Sequence, residues 1–352
     1  MKKELLMATA LVSTLGATSV AQAVTATMSG SWKAGAEFDS PESGVDTQNV
    51  VDLSNFSVSL SETTDAGTTI SSSFGVIDEG ASDIGDDDNA IKLTFTDGSA
   101  VELLNAGNAA GTSVVAVPSG AGEMGVAGAT SNRTPMDLDF AAGSTALGVE
   151  WHSAADFLAD GLKMSVSYST DSGAAKATTA RLENSWGVGA TYVTSAGDTA
   201  LTIGTGFSGG DVANTGTQTT GGKEGFHAGV SAVTGDLTVA VGYADGNSFA
   251  ANDANLTANT DIEGSVLKAG ISYVTGDLTL ALGVTSAEGK DSNFGATTTA
   301  DDSKDTMSGS VTYAVASGVS AVVGYLTEDH QNDGQSATTG GSSWYVGATM
   351  SF

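Results

Sequence analysis

The chain has no cysteine and only 3 prolines among its 352 residues. Basic residues are scarce as well: 12 Lys and Arg stand against 41 Asp and Glu, a formal charge of −29. Each shortage excludes something. Without cysteine there are no disulfides, so the fold is held some other way. Without a basic face there is no footprint for nucleic acid. The excess of carboxylates is compatible with divalent cations, which prefer oxygen ligands. Beyond the N-terminal leader no run of 18 apolar residues occurs, so nothing reads as a transmembrane helix. No Gly-x-Ser-x-Gly elbow, zinc-ligand spacing or phosphate loop with its Lys is present. Gly-rich matches carry no weight in a chain with 47 glycines.

What is present begins with an export signal at residues 1–23. Lys2 and Lys3 supply the positive start, Leu5 to Val20 a mostly apolar run, and Ala21-Gln22-Ala23 a small-x-small cleavage site. An N-terminal membrane anchor is the competing reading, but the run is short and broken by Ser, Thr and Gly. Removing the leader takes away two Lys and one Glu, leaving 10 basic and 40 acidic residues and a charge of −30 over 24–352. That length allows one large domain or two ordinary ones.

The last stretch, Trp344 to Phe352, sets the pattern for the rest. Trp344, Val346, Ala348, Met350 and Phe352 alternate with Tyr345, Gly347, Thr349 and Ser351. A strand turns alternate side chains to opposite faces, so one face is apolar with aromatics at both ends. Aromatics bracketing an apolar band, over about the length of a tilted membrane-crossing strand, point to a bilayer. Sixteen such segments are predicted. The first covers about 25–37 and the second about 50–61. The third carries Ile70, Phe74 and Val76, and the fourth and fifth flank the Asp97-Gly98 turn signal. Alternation fails from Asn105 to about Gly143, a Gly-, Ala- and Ser-rich stretch far longer than an ordinary connection. It then resumes for eleven more segments. In that half, tight Gly-bearing turns such as Thr234-Gly235-Asp236 alternate with long polar connections such as 245–261. An up-and-down antiparallel barrel across an outer membrane shows that asymmetry. No proline is expected inside a strand.

With the apolar face turned outward, Lys33, Lys92, Lys163, Arg181, Lys223, Lys268 and Lys304 point inward. Glu37, Glu150, His152, Glu183 and His227 share that face. In a soluble sandwich this arrangement would bury unpaired charge at prohibitive cost. It is sensible when the apolar face meets lipid and the polar face lines a water-filled pore, which a barrel of this size leaves open. The acidic run Asp78 to Asp88, and above all Asp83, Asp86, Asp87 and Asp88, could hold Ca²⁺. A solvated loop is the alternative, since the spacing matches no EF-hand. A secreted structural or adhesive β-protein is the competing class, but no fixed solenoid repeat is evident. An enzymatic barrel finds no nucleophile–base pair.

These features together resemble the general bacterial porins, in the style of alphaproteobacteria. The resemblance rests on the leader, the opening strand from Val24, the long stretch after the fifth strand, the hairpin series and the terminal Phe352. It implies an all-β barrel of about 16 strands in the cell outer membrane, assembled as a homotrimer among lipid and lipopolysaccharide. It also implies that the assembly machinery reads the C-terminal strand. The long loop, 105–143, would fold inward and narrow the pore. Loop acids Glu123, Asp137 and Asp139, with Arg133, would face Lys33 and Lys92 at the constriction, with Glu37, Glu150, Lys163, Arg181 and Lys268 along the lumen. No cofactor is implied. Such walls are usually Arg-rich, whereas this mature chain has only Arg133 and Arg181, which favours cations.

Overall fold

The computed structural model describes residues 24–42, 44–78, 90–104, 106–120, 148–170, 181–213, 221–249, 261–290, 301–331 and 339–352. The leader, Asp83, Asp86, Asp87, Asp88, Glu123, Arg133, Asp137 and Asp139 lie outside them.

The elements are β1 (Thr25–Pro41), β2 (Thr47–Thr63), β3 (Thr69–Asp78), β4 (Ile91–Thr94), β5 (Ala100–Leu103), β6 (Gly148–His152), β7 (Leu162–Ser169), β8 (Arg181–Ala196), β9 (Thr199–Ala213), β10 (Gly221–Thr234), β11 (Leu237–Phe249), β12 (Asp261–Thr275), β13 (Leu278–Lys290), β14 (Asp301–Ala316), β15 (Val319–Gln331) and β16 (Thr339–Ser351). Each pairs antiparallel with its sequence neighbours, and β16 returns to β1, closing the barrel. The seam runs from Ser31↔Ser351 to Pro41↔Gly341. Backbone bonds between Gly30 and Phe352, of 3.1 and 3.2 Å, extend it to the last residue. Closure matters because an unpaired strand edge has no water to satisfy it in hydrocarbon. One expectation is corrected here. A proline does enter a strand, but Pro41 is the terminal residue of β1, where a missing ladder donor is tolerated.

Four hairpins on one rim have two-residue connections: Gly197-Asp198, Gly235-Asp236, Gly276-Asp277 and Ser317-Gly318. Their glycines have φ of 61°, 57°, 58° and 73°. This left-handed backbone matches the twist of the strands it joins and suits glycine. At the β4–β5 turn Asp97 accepts from the Ser99 amide at 2.9 Å and hydroxyl at 2.7 Å. These bonds hold its carboxyl below the usual range. Their contribution is therefore present at neutral pH and lost on acidification.

The alternation of side chains is borne out around the ring. Val166, Val188, Ile203, Val239, Ile271, Leu280, Val311 and Val346 are exposed on the outer face. Tyr168, Trp186, Phe207, Phe226, Tyr243, Tyr325, Trp344 and Phe38 form an aromatic ring toward the long-connection end. Trp151, Tyr192, Tyr273, Tyr313, Phe56 and Phe352 form another toward the tight turns. Beyond the first ring the outer face turns acidic, with Asp211, Glu224, Asp245, Glu288, Asp305 and Asp329. The strands β8 to β16 are 13 to 16 residues long. A bilayer needs only about 9–11 per strand, so they project past it and take up the ends of the expected long connections.

Two features depart from this regularity. β4, β5 and β6 have only 4, 4 and 5 residues. On β2, separated from β4 by β3, Asp52 points outward midway between the two aromatic levels, paired with Ala34, and accepts from Trp32 Nε1 at 2.8 Å.

The face assignment predicts the effect of inserting charge. Val239 and Leu280 are 46% and 41% exposed on the outer face. Arginine at either should destabilise the lipid-embedded barrel by about 2–4 kcal/mol, measured by denaturant unfolding in bilayers. Arginine at Thr238 or Thr279, which face the lumen, should have a mild effect.

Candidate functional site: a strap seated inside the barrel

On the inner face, the wall from β7 to β14 is built of small residues. β8 contributes Gly187 and Gly189, β9 Gly204 and Gly206, β10 Gly229, β12 Gly270 and β13 Gly283. Residues 106–120, the first part of the long connection after β5, lie along this row as a strap. A side-chain carbon on Gly189 would collide with the Ala109 carbonyl, on Gly204 with that of Ser113, and on Gly270 with that of Pro118. Gly120 itself rests on the Gly309 backbone. Glycine is required here because one backbone lies directly on another.

Polar groups fix the strap at intervals. At its root the Glu150 carboxylate, 3% exposed, accepts from the amides of Gly107 at 3.2 Å and Asn108 at 2.9 Å. Amide-to-carboxylate bonds are charge-assisted and among the stronger kinds. The Ala109 amide donates to Ser167 Oγ at 3.1 Å, and its carbonyl accepts from Ser165 Oγ at 2.7 Å. Residues Gly111–Ser113 form a 3₁₀ turn. Just before it, Asn108 Oδ1 accepts from the Gly111 amide at 3.1 Å. His227 Nε2 donates to the Ala110 carbonyl at 2.7 Å. Val114 and Val117 pack on a buried apolar pad of Ala244, Val266 and Ala287. At the far end the Gly120 amide donates to Ser308 Oγ at 3.1 Å. Thr112, Ala116 and Ser119 are left facing the open lumen.

Charged side chains cluster beside the root. Lys92 Nζ lies 2.6 Å from Glu102 Oε1. His152 Nε2 lies 3.4 Å from the same oxygen and 3.3 Å from Glu150 Oε1. Lys304 pairs with the buried Glu328 at 2.9 Å across β14 and β15. On β1, Asp39 is buried and accepts from Asn49 Nδ2 at 2.9 Å, Thr47 Oγ1 at 3.3 Å and the Ser343 hydroxyl. Two of the wall's lysines, Lys92 and Lys304, are therefore held by carboxylates.

The residues predicted for this region fall as follows. Lys33, Glu37, Lys92, Glu150, Lys163 and Lys268 occupy lumen-facing positions in the strand registers. Lys92 meets Glu102 rather than standing alone as a base. For Arg181 the alternation does not carry through. The β8–β9 register shifts between Glu183 and Trp186, so Arg181 pairs with Ala213 one step out of phase with the lumen-facing residues below. Its side chain, like Glu123, Arg133, Asp137 and Asp139 as a whole, lies outside the described residues. Sequence reasoning missed Glu102, Glu328 and Asp39. Glu102 was readable, because the turn at Asp97-Gly98 sets it opposite Lys92. Glu328 lies in a polar stretch after Tyr325 that reads in sequence as a connection and in the structure is part of β15.

The strap's seat is testable because the chain has no cysteine background. Val115 is 5% exposed, so a single Val115→Cys should resist a water-soluble maleimide. Adding Gly204→Val, which drives a side chain into Ser113 and Val115, should make that thiol reactive. Equal protection in both proteins would show that the seat does not depend on the glycine.

No protein-family model matches the chain, and no curated protein matches it. Solved structures do. An anion-selective porin from Comamonas acidovorans aligns with a TM-score of 0.64 at 12% identity, over 94% of this chain and 100% of that one. OmpT, an outer membrane protein of Vibrio cholerae, in its trimer form, aligns at 0.61 with 15% identity over 94% and 99%. The outer membrane channel DcaP of Acinetobacter baumannii aligns at 0.60 with 12% identity over 94% and 97%. At these identities the likeness is one of fold: this chain has the fold of the bacterial porins.

Proposed function

We propose that this porin-fold chain is an integral outer-membrane channel for passive diffusion of ions and small hydrophilic solutes. One observation carries the reading. A closed ring of 16 strands turns its apolar side chains outward and its Lys, Glu and Ser side chains inward, with a strap seated midway up the inner wall. Barrels of about this strand number leave an aqueous lumen, which smaller ones fill with side chains. Passage through such a lumen needs no catalysis and no cofactor.

The strap narrows the lumen from one side. Its root is at β6 and its far end at β14, eight places apart in the ring of 16. Gly120, seated on β14, and Gly148, at the start of β6, thus lie at opposite sides of the lumen, which supports assigning Glu123, Arg133, Asp137 and Asp139, between them in sequence, to the constriction. With a mature charge of −30 and Lys92 and Lys304 held by carboxylates, the passage prefers cations, because acidic linings concentrate them.

The assembly we infer is a homotrimer surrounded by lipid and lipopolysaccharide and delivered by machinery that reads β16. Two features support burial of the β1–β6 outer face against further copies. Strands of 4 or 5 residues reach about 14–17 Å even untilted, less than the apolar band of about 25 Å. A lipid-facing carboxylate at mid-depth, such as Asp52, is costly unless covered.

Reversal potentials in a salt gradient test the channel. The wild type should be weakly to moderately cation-selective, and the preference should fade as the screening length falls to about 3 Å at 1 M salt. Neutralising Glu123, Asp137 and Asp139 together should move the potential toward anions in a folded barrel. A wild type preferring chloride would refute the charge argument. For the assembly, an oligomer stable in detergent and dissociated by heating is expected, and Trp32→Ala with Asp52→Arg should lower its dissociation temperature. A mixture that stays monomeric before heating would overturn the trimer.

A further inference from the structure

We propose that a cavity beside the strap is a binding step for small hydroxylated monocarboxylates, anchored by Lys163; this rests on the channel reading and names a solute class for it. The cavity, about 110 Å³, opens on the lumen between the strap and the wall of β6 to β8. Thr112 of the strap closes one side. His152, Ser153, Lys163, Ser165 and Thr191 close the others.

Lys163 differs from the other lysines here. Lys92 and Lys304 are held by Glu102 and Glu328. Lys163 is exposed and makes no hydrogen bond or ion pair among the described residues. Its ammonium is thus available to a passing anion without first breaking an internal pair. Thr191, directly paired with it across β7 and β8, also keeps its hydroxyl uncommitted. The two form a donor side.

The remaining hydroxyls form an acceptor side, because their protons are already spent. Ser165 Oγ donates to the Ala109 carbonyl at 2.7 Å and Thr112 Oγ1 to the same oxygen at 2.9 Å. Ser153 Oγ donates to the Ala154 carbonyl at 2.8 Å. A hydroxyl has one proton and two lone pairs, so each keeps a lone pair for what enters, Ser153 after its oxygen has accepted the Met164 amide at 2.9 Å. A ligand with a carboxylate at one end and hydroxyls at the other satisfies both sides. A simple anion leaves the acceptors unmet, and an uncharged polyol leaves the ammonium unmet. Glu102 and Glu150, behind His152, disfavour a second negative charge and select monoanions. The same carboxylates keep the step shallow, as a channel requires for release.

The test uses the full mature protein in planar bilayers, with millimolar glycerate added to potassium chloride. Glycerate should reduce single-channel current in the wild type. Propionate, which lacks the hydroxyls, and glycerol, which lacks the charge, should each act much more weakly. Lys163→Gln should weaken the glycerate effect about tenfold, as expected for loss of a charged hydrogen bond, and Lys163→Arg should keep most of it. Both variants should conduct chloride salt and migrate as the heat-modifiable wild type does, which separates loss of the step from loss of the fold. A conducting wild type that ignores glycerate overturns this proposal alone. Equal action of propionate removes the hydroxyl argument, and an unchanged effect in Lys163→Gln removes the anchor. A wild type that conducts no salt overturns the channel reading itself.

Discussion

A chain that crosses hydrocarbon with strands must pair every backbone group within itself. The β1–β16 seam, with Phe352 bonded to Gly30 at its end, is where that requirement is met last. Closure then fixes everything else. A closed sheet has one inside and one outside, so the two-residue period of each strand assigns every side chain to lipid or to water. Shifting any strand by one residue would exchange the two sets along its length. The tight Gly-Asp turns of the late hairpins hold register at one rim, which allows the other rim to carry connections of varied length and chemistry.

This logic explains how much was legible beforehand. The strand count, the order of short and long connections and the facing of Lys33, Lys92, Lys163 and Lys268 all follow from alternation, which is local and periodic. That the stretch after β5 turns inward was implied only by the resemblance, and its seat was not legible. Nothing in Ala106 to Gly120 announces a path, because its seat is made by glycines scattered over β8, β9, β10, β12 and β13. Each of those glycines, read on its own strand, is just another small inward residue. The apolar pad of Ala244, Val266 and Ala287 escaped notice for the same reason. Arg181 shows the limit of periodic reasoning from the other direction. A single irregularity between Glu183 and Trp186 breaks the phase, and parity says nothing about where breaks occur.

The electrostatics also look different in the structure. In sequence, inward lysines appear as positive charges opposing an acidic loop. In space, Glu102 answers Lys92 and Glu328 answers Lys304. Ion pairs on a wet wall contribute little stability, but they remove charge from the local field. The lining is thus more neutral than its composition, and the few unpaired groups set the chemistry a solute meets. That shifts attention from counting charges to asking which ones are already occupied.

The row of glycines beneath the strap has a consequence for time as well as for space. Side chains hop between rotamers in picoseconds to nanoseconds, and an aperture propped on long side chains would flicker on that scale. Here main chain rests on main chain, pinned by His227 at one point and by Ser308 at another. The edge that borders the passage is therefore as stationary as the sheet. Current through such an opening is expected to be quiet at high frequency, with its residual fluctuations contributed by the solutes themselves.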